Sequence, residues 1–325
     1  MSTYSKTTLI DGGKAVALSV ALGVVIAFLP LLSIVAVPAM PIPVAFITSR
    51  HGLLAGLAAS LLGGAVCVAL TGIYAGMLIF MLMALSGIGA GLALRKGVSQ
   101  FRLFVSMTAI FFATLVLWLG ALLLIIGESP VSALQSLADS TAEPSRQVYQ
   151  ALGMSQQDID ASLAQAKDFA SILPYLAPGV LLVVSIVFSG ASLALARRVF
   201  ERLRQPFPRD FIFRDFRVHW TFAYVMIAGL LCQLIAPYLS GTYSSPVDIT
   251  GANLIIVAEV LFFIQGMAIA NFFLWAFKVK KARRWIVYIC MILLQLTLSL
   301  TSWMGLFDTW LDYRRRFIKK NLSRQ

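Results

Sequence analysis

Long apolar stretches recur along the chain and are separated by short polar segments that hold most of its charged residues. The hydrocarbon core of a bilayer, about 30 Å thick, needs about 20 apolar residues in a helix. The stretches are continuous, whereas strands of a transmembrane barrel would alternate apolar and polar residues. The pattern therefore predicts an all-α, polytopic membrane bundle with about eight or nine transmembrane segments. The candidate segments are residues 15–29, 31–48, 53–70, 74–94, 103–126, 172–196, 220–239, 253–277 and 285–304.

The second segment, residues 31–48, is predicted to be irregular. It contains Pro38, Pro41 and Pro43, and a proline inside a helix removes a backbone hydrogen bond and clashes with the preceding turn. We therefore expect a short, proline-broken segment, either a broken or a re-entrant helix, of the kind that membranes tolerate where the backbone is buried in protein.

The charged linkers predict the topology, because cytoplasmic loops collect lysine and arginine. The basic groups that fall on one side, if every segment crosses, are Arg50, residues 95–102, residues 197–217 and residues 278–284. We predict that this side is cytoplasmic. The outer loop 127–171 is acidic and then lies outside. A capping box that starts at Ser155 predicts a short helical extracytoplasmic insertion there.

The C-terminal tail conflicts with this topology. It is basic from Arg314 onward, yet nine crossings place it on the outer side. Either the charge rule fails for this late segment, or residues 285–304 do not cross. The hydroxyl residues of that segment are a candidate for a break that folds the chain back; they are Thr297, Ser299, Thr301 and Ser302. The sequence leaves the side of the tail open.

Composition excludes a soluble protein, because 59% of the 325 residues are hydrophobic and only 12% are charged, against about 25% in soluble domains. The net charge of +12 would suggest nucleic acid for a soluble chain. Here the charge lies in the linkers and reflects topology, so we expect no nucleic-acid partner. Cys67, Cys232 and Cys290 lie inside apolar stretches and predict neither a disulfide nor a zinc site.

Polar residues inside one apolar stretch are the candidate ligand-binding residues. Glu259 is the only acidic residue well inside a segment, and a charge at mid-membrane costs about 2.5 to 3.5 kcal/mol. The same helix holds Asn253, Gln265 and Asn271, which surround it with polar groups and predict that it lies within the protein. These four residues are predicted to bind a solute, proton or ion. The alternative is that they fix helix packing, with a protonated or hydrogen-bonded glutamate.

Catalytic motifs are not found in the sequence. The chain has no GxSxG, HExxH, P-loop or paired-carboxylate pattern. We therefore expect no enzymatic activity, no catalytic residues, no metal site and no cofactor. His51 and His219 lie next to basic residues at segment ends and are predicted to be interfacial anchors.

Two C-terminal stretches resemble a known family. They read NLIIV at 253–257, followed by FFIQGMAIANF at 262–272, and GLFDTWLDYRR at 305–315. These segments look like the hallmark segments of the YybS-like bacterial membrane proteins, a domain-of-unknown-function family, and the likeness in segment order and length extends along most of the chain. The resemblance implies a multi-pass protein of the bacterial cytoplasmic (inner) membrane, and it implies no particular activity.

Residues 1–200 are more weakly similar to the S-components of energy-coupling-factor transporters. The shared features are the pair Ala17 and Ala21 in the first segment, the proline-bearing second segment and the long outer loop. The resemblance implies that Ala17 and Ala21 meet an energising subunit and that the outer loop closes over a substrate. It also divides the chain into a six-segment module, 1–200, which includes the outer loop 127–171, and a part, 201–325, with three further segments, a basic cytoplasmic loop and a basic tail.

Two functional hypotheses follow. In the first, the protein is a small-solute permease or the substrate-capture subunit of a transporter, and use of ATP would need an energising partner because the chain has no nucleotide-binding motif. In the second, it is a non-transporting scaffold or regulator that acts through its basic loop and tail. The lipid bilayer is a partner in both. The predicted partner-docking residues of the tail are Asp308, Trp310, Asp312 and Arg314, whose alternative role is to anchor an amphipathic helix at the headgroups.

Overall fold

Helices are the only regular elements in the part of the chain that the computed structural model describes, which is residues 3–127, 130–208, 211–240 and 246–322. This confirms the all-α prediction. A π-helical turn, Leu82–Ser86, joins α4 to α5, and a short 3-10 turn, Phe213–Asp215, precedes α9. The helices are α1 (Thr3–Phe28), α2 (Pro30–Ala39), α3 (Pro41–His51), α4 (Leu53–Met81), α5 (Gly87–Arg95), α6 (Gln100–Ile126), α7 (Pro130–Ala151), α8 (Gln156–Arg202), α9 (Phe222–Ser240), α10 (Pro246–Ala276), α11 (Lys281–Leu298), α12 (Leu300–Leu311) and α13 (Tyr313–Leu322).

Seven helical stretches among the described residues are long and apolar enough to cross a membrane. One of them, Leu53–Arg95, is 43 residues long and reverses at Gly72, whose φ of 82° and ψ of 170° interrupt α4. Glycine adopts this positive φ without steric cost, and the reversal packs Gly76 against Val68. This stretch therefore makes two passes, which agree with the predicted segments 53–70 and 74–94. Because this stretch passes twice, the seven stretches make eight passes among the described residues, which confirms the prediction of about eight or nine.

The chain forms two compact units. The first consists of Met1–Glu128 and Val184–Asp210, and the second of Ser129–Val183 and Phe211–Gln325. Helix α8 contributes to both units. The sequence placed its division at residue 200, whereas the second unit also takes in residues 129–183.

The core of the first unit is built from one apolar face each of α3, α4, α5, α6 and the end of α8. Side chains that are fully buried there include Val44, Ile79, Leu103 and Phe111. Small residues bring the helices close together: Gly63 lies against Met83, and Gly23 lies against Cys67. Cys67 is a free thiol buried in this core.

The proline-bearing second segment crosses the first unit from end to end. Its last residue, His51, lies between Thr8 and Asp11 near the start of α1, with Nδ1 2.9 Å from Thr8 Oγ1 and Nε2 3.0 Å from Asp11 Oδ2. The re-entrant alternative is therefore wrong, and the prolines only divide the segment at Met40, which keeps helical dihedral angles (φ −55°, ψ −39°).

The positions of the prolines explain why the second segment stays helical on both sides of Met40. Pro30 and Pro41 are the first residues of α2 and α3, where the missing N–H has no intrahelical acceptor in any case. Pro43 lies in the same first turn of α3, so that it also costs no helix hydrogen bond. Pro38, by contrast, lies inside α2 near its end, and the break at Met40 follows it. The predicted proline-broken segment is thus present.

The predicted helical insertion is present in the second unit as α7 and the first turns of α8. Ser155 is the N-cap of α8: its Oγ accepts from Asp158 N at 3.2 Å and donates to the Asp158 carboxylate at 2.6 Å. Ion pairs join the two helices, with Lys167 Nζ 2.7 Å from Asp139 Oδ1 and Arg146 Nη2 2.9 Å from Asp160 Oδ1. The predicted capping box is thus confirmed.

Helices α11 and α12 form a re-entrant hairpin that packs on α10. The chain bends by 98° between them at Ser299, which has left-handed dihedral angles (φ 52°, ψ 17°). Helix α11 starts beside the end of α10, where Asn271 Nδ2 donates to Tyr288 Oη at 2.8 Å. Helix α12 starts beside the middle of α10, where Ser302 Oγ donates to Glu259 O at 2.8 Å.

The chain then returns to the end of α10 from which it departed. The Phe317 ring of α13 packs against Phe273 and Phe277, with ring centroids 5.3 and 5.5 Å apart. Arg314 Nη1 donates to the carbonyl oxygens of Arg214 and Phe216, both at 2.9 Å. Residues 211–217, 278–284 and 314–316 therefore lie at one end of the second unit. Residues 285–304 do not cross, and the conflict between the basic tail and the charge rule disappears.

This topology predicts which sites react from the same side of a membrane. In a chain whose three cysteines are replaced by serine, Arg316→Cys and Arg283→Cys should be labelled by an impermeant maleimide from one side, because the hairpin returns to its starting face. Glu143→Cys, in α7, should be labelled from the opposite side. Labelling of residue 316 together with residue 143, and not with residue 283, would contradict the re-entrant hairpin.

Candidate functional site

Helix α10 is the central element of the second unit and holds all four predicted ligand-binding residues. At 1.5 Å per residue its 31 residues span about 46 Å. It packs against α9 on one side and α12 on another, through the glycines Gly251, Gly266 and Gly305. No residue from Gly251 to Leu274 is fully exposed, which agrees with the prediction that the helix lies within the protein.

Gln265 is buried and has protein partners on both ends of its side-chain amide. Its Oε1 accepts from Val218 N at 2.7 Å, and its Nε2 donates to Gly305 O at 3.0 Å and to Asp308 Oδ2 at 3.4 Å. The side chain therefore joins three separate segments: the residues that precede α9, helix α10 and helix α12. Since a buried amide that loses its partners costs about 1 to 3 kcal/mol, this arrangement holds the segments in register.

Asn253 binds the backbone of α8. Its Oδ1 accepts from Gly179 N at 2.7 Å, and its Nδ2 donates to Tyr175 O at 2.9 Å and to Ile249 O at 2.9 Å. Tyr175 and Gly179 are four residues apart and flank Pro178, which lacks an N–H and disturbs the helix ladder. The amide of Asn253 therefore bridges α8 at its proline, and the lack of a side chain at Gly179 permits this close approach.

Asn271 connects α10 to α11 through the hydroxyl of Tyr288. Three of the four predicted ligand-binding residues thus have hydrogen-bond partners within the second unit, and these bonds join α10 to its neighbours. The sequence contained a signal for each of these polar residues but none for most of their partners, since Val218, Gly179 and Gly305 contribute backbone groups.

Glu259 differs from the other three. Its backbone carbonyl accepts from Ser302, but its half-buried carboxyl group has no hydrogen-bond or ion-pair partner among the residues that the structure describes. Glu259 and Gly266 are seven residues apart and lie on nearly the same face of α10. Because α12 packs on Gly266 through Thr301, Glu259 lies on that face at the level where the hairpin ends.

The end of the hairpin is an ordered polar structure, which we call the hairpin tip (Gln295, Ser299 and Ser302). Gln295 Oε1 accepts from Ser302 N at 3.0 Å and lies 2.9 Å from Ser302 Oγ, and so caps the first turn of α12. Thr301 Oγ1 donates to Met291 O at 2.8 Å and ties α12 back to α11. The predicted break in the hydroxyl cluster is therefore present, at Ser299.

The tail motif contains a buried ion pair. Arg314 Nη2 donates to Asp308 Oδ2 at 2.7 Å, and both side chains are at most 2% exposed. Asp308 Oδ1 also accepts from Tyr313 N at 2.9 Å. Together with the two carbonyl oxygens that Arg314 binds, these bonds fasten α12 and α13 to residues 214–216. In this arrangement the charges of Asp308 and Arg314 face each other rather than the surface.

The more accessible residues of the tail motif are Trp310, which is exposed, and Asp312, which is partly buried. Trp310 is 53% exposed, and Asp312 Oδ1 is 3.0 Å from Arg217 Nη2. Partial burial by itself raises the pKa of the Asp312 carboxyl. The hydrogen bond from Arg217 and the charges of Arg217 and Arg315 have the larger, opposite effect, so that this pKa lies below its ordinary value. A docking role in the tail thus depends on these two residues.

Ala17 and Ala21 are exposed on α1. They lie four residues apart on one helix face, whereas Ala15, Ser19 and Gly23 face the interior of the first unit. The predicted contact of this pair with an energising subunit stays a prediction.

These features define a multi-pass α-helical membrane protein with a re-entrant hairpin. The chain matches the family model described as "Predicted membrane protein (DUF2232)" over residues 17–309, and it belongs to that family, which confirms the YybS-like resemblance. No match was found among curated proteins or solved structures. The likeness of residues 1–200 to S-components stays a prediction.

Proposed function

We propose that this protein is a small-solute permease or substrate-capture subunit of the bacterial inner membrane, with its solute contact at Glu259 beside the hairpin tip. The observation that carries the proposal is a half-buried carboxyl group without a described partner, in the middle of a membrane helix, next to a broken helix. We propose no enzymatic activity, because the sequence contains no catalytic motif.

The energetics of Glu259 support a functional role. Moving an unpaired charge to mid-membrane costs about 2.5 to 3.5 kcal/mol on the lenient scale, and the neighbouring polar residues of α10 all reduce their own cost by binding protein groups. Glu259 lies 17 residues, about 25 Å, before the end of α10. A protonated carboxyl, or a solute with a positive or hydrogen-bond-donating group, would offset the cost.

The re-entrant hairpin supports the same site. Carriers place solutes near mid-membrane at discontinuous helices, whose ends expose backbone groups. Helix α12 starts at Leu300, and the first N–H groups of a helix have no partner within it. Ser302 N and Trp303 N already have acceptors in Gln295 and Ser299. The donors that the start of α12 can offer beside Glu259 are therefore the N–H groups of Leu300 and Thr301, which we propose contact one small polar solute together with the Glu259 carboxyl.

Transport is tested by metabolite profiles of a strain that lacks this protein. Mass spectrometry should find at least one small polar solute whose distribution between cells and medium changes in that strain. Expression of the native chain should restore it, whereas Glu259→Gln should not, because glutamine cannot take up a proton or carry a charge. Glu201→Gln is the matched control, since Glu201 is an exposed acid paired with Arg197.

The comparison requires equal amounts of each variant in the membrane fraction. A full restoration by Glu259→Gln, or identical profiles with and without the native protein across all solutes measured, would count against the proposal. Restoration by Glu201→Gln but not by Glu259→Gln would support it.

The second candidate function is a scaffold or regulator. The observation that favours it is the Asp308–Arg314 pair, which holds residues 211–217 and the tail in one fixed arrangement with Trp310 exposed. Affinity purification from membranes distinguishes the two. Recovery of an ATPase pair supports transport with an energising partner, whereas recovery of cell-envelope or regulatory proteins without an ATPase supports a scaffold.

A further inference from the structure

Three basic segments that are distant in the sequence meet at one end of the second unit. Residues 211–217, 278–284 and 308–316 contain ten lysines and arginines and only three acidic residues. Arg314 binds the backbone of residues 214 and 216, and Phe317 packs on Phe277. The residues just before Phe317 therefore lie beside those that follow Phe277, although about 40 positions separate them in the chain.

The three acidic residues of these segments already have partners. Asp308 pairs with Arg314, Asp312 with Arg217, and Asp215 is 3.9 Å from Arg214. Arg214 also lies over the Trp275 ring, 3.9 Å from its centroid. The remaining exposed cations make no ion pair with any described residue; they are Lys278, Lys280, Lys281, Arg283, Arg315 and Arg316. The protein thus holds a dense positive charge here without neutralising it.

Aromatic side chains place this charge at a membrane boundary. Trp275, Trp285 and Trp310 are each at least 50% exposed, and tryptophan favours the headgroup region of a bilayer. Helix α11 starts at Lys281 with no acidic residue in its first turn, so that the positive end of its dipole adds to the side-chain charges. An anionic group beside the tryptophans would be attracted both by the lysine and arginine side chains and by the positive end of the α11 dipole.

We propose that this basic surface (residues 278–284 with Arg315 and Arg316) binds the phosphate headgroups of anionic phospholipids. The phospholipid is favoured over an acidic protein because the cations lie beside exposed tryptophans and apolar helix faces, where acyl chains can pack. Each arginine or lysine near a membrane surface contributes about 1 kcal/mol of attraction to anionic lipid. This basic surface does not include Glu259, so that a negative result in the lipid-binding test would not count against the proposed function.

The test is native mass spectrometry of the purified full chain, with phosphatidylglycerol and phosphatidylcholine added in equal amounts. The native chain should retain phosphatidylglycerol preferentially. The variant Arg283→Gln with Arg316→Gln should lose that preference by about tenfold to thirtyfold, the value that corresponds to about 1 kcal/mol for each removed charge. Arg283→Lys with Arg316→Lys should keep most of it, which shows that the charge matters and that the surface tolerates substitution.

The matched control is Lys96→Gln with Arg102→Gln, which removes the same charge from exposed positions of the first unit. An equal loss in this control would mean that charge acts diffusely and would overturn the proposal. So would an absence of preference in the native chain, or a soluble polyglutamate peptide that binds through Arg283 and Arg316 while phosphatidylglycerol does not. Retained binding in the control with loss in the first variant supports it.

Discussion

Replacement of Arg314 by alanine should lower the free energy of unfolding of the second unit by about 3 to 5 kcal/mol, the usual loss when one partner of a buried ion pair is removed. The substitution leaves the Asp308 carboxylate buried without its cation and frees two carbonyl oxygens of residues 214 and 216. The change is measured by unfolding of the purified chain in detergent, and limited proteolysis should show earlier cleavage near α13.

Two variants control this result. Arg315→Ala removes an exposed arginine next in the sequence and should change the stability by less than about 0.5 kcal/mol. Replacement of the whole pair, Asp308→Leu with Arg314→Met, should recover most of the loss, because no uncompensated charge remains. Equal instability of the Arg315 and Arg314 variants would mean that the pair does not fasten the tail.

The variants Gly266→Ala and Gly305→Ala should each destabilise the contact between α10 and α12 by about 1 to 3 kcal/mol, the range for overpacking. A Cβ at Gly266 would collide with the Thr301 carbonyl, and one at Gly305 with the Phe262 carbonyl. Backbone atoms cannot rotate away as a side chain can, so that the helices must separate. The loss of stability is measured by unfolding in detergent.

Gly120 is the matched control, since it lies within α6 and has open space where a Cβ would be. Gly120→Ala should be neutral or slightly stabilising, because alanine is the better helix former. If Gly266→Ala were as stable as Gly120→Ala, the two helices would not depend on this close approach, and the depth of the re-entrant hairpin would be in doubt. Separation of α12 from α10 would also displace the hairpin tip from Glu259.

Continuous hydrophobicity and length sufficed to predict the helical spans. Residues 53–70, 74–94 and 103–126 were recognised as separate passes because each apolar stretch ends at a glycine or a charged residue, and these are local properties. The capping box at Ser155 was likewise readable, since its hydrogen bonds join residues three positions apart. Proline was informative as well: the first helix ends just before Pro30, and the second segment is divided at Met40, after Pro38 inside α2 and before Pro41 at the start of α3.

For the candidate site, the sequence predicted the polar residues but not their hydrogen-bond partners. The sequence identified Asn253, Gln265 and Asn271 as unusual for a membrane helix, and a polar residue in that environment must find a partner. It could not distinguish a solute from a protein group, since most partners of Asn253 and Gln265 are backbone atoms, which belong to Gly179, Tyr175, Val218 and Gly305. The packing of α8, α10 and α12 decides which of these groups come within 3 Å.

The sequence by itself determined that this chain is a multi-pass helical membrane protein of the YybS-like family, where its helices lie and which linkers are basic, because hydrophobic length and charge act residue by residue. Only the tertiary structure decided the side of the C-terminal tail. The choice depends on whether residues 285–304 cross or turn back, and both alternatives have the same composition. The turn is stabilised by contacts between residues 40 to 100 positions apart, such as Ser302 with Glu259 and Arg314 with Arg214, which no local pattern records.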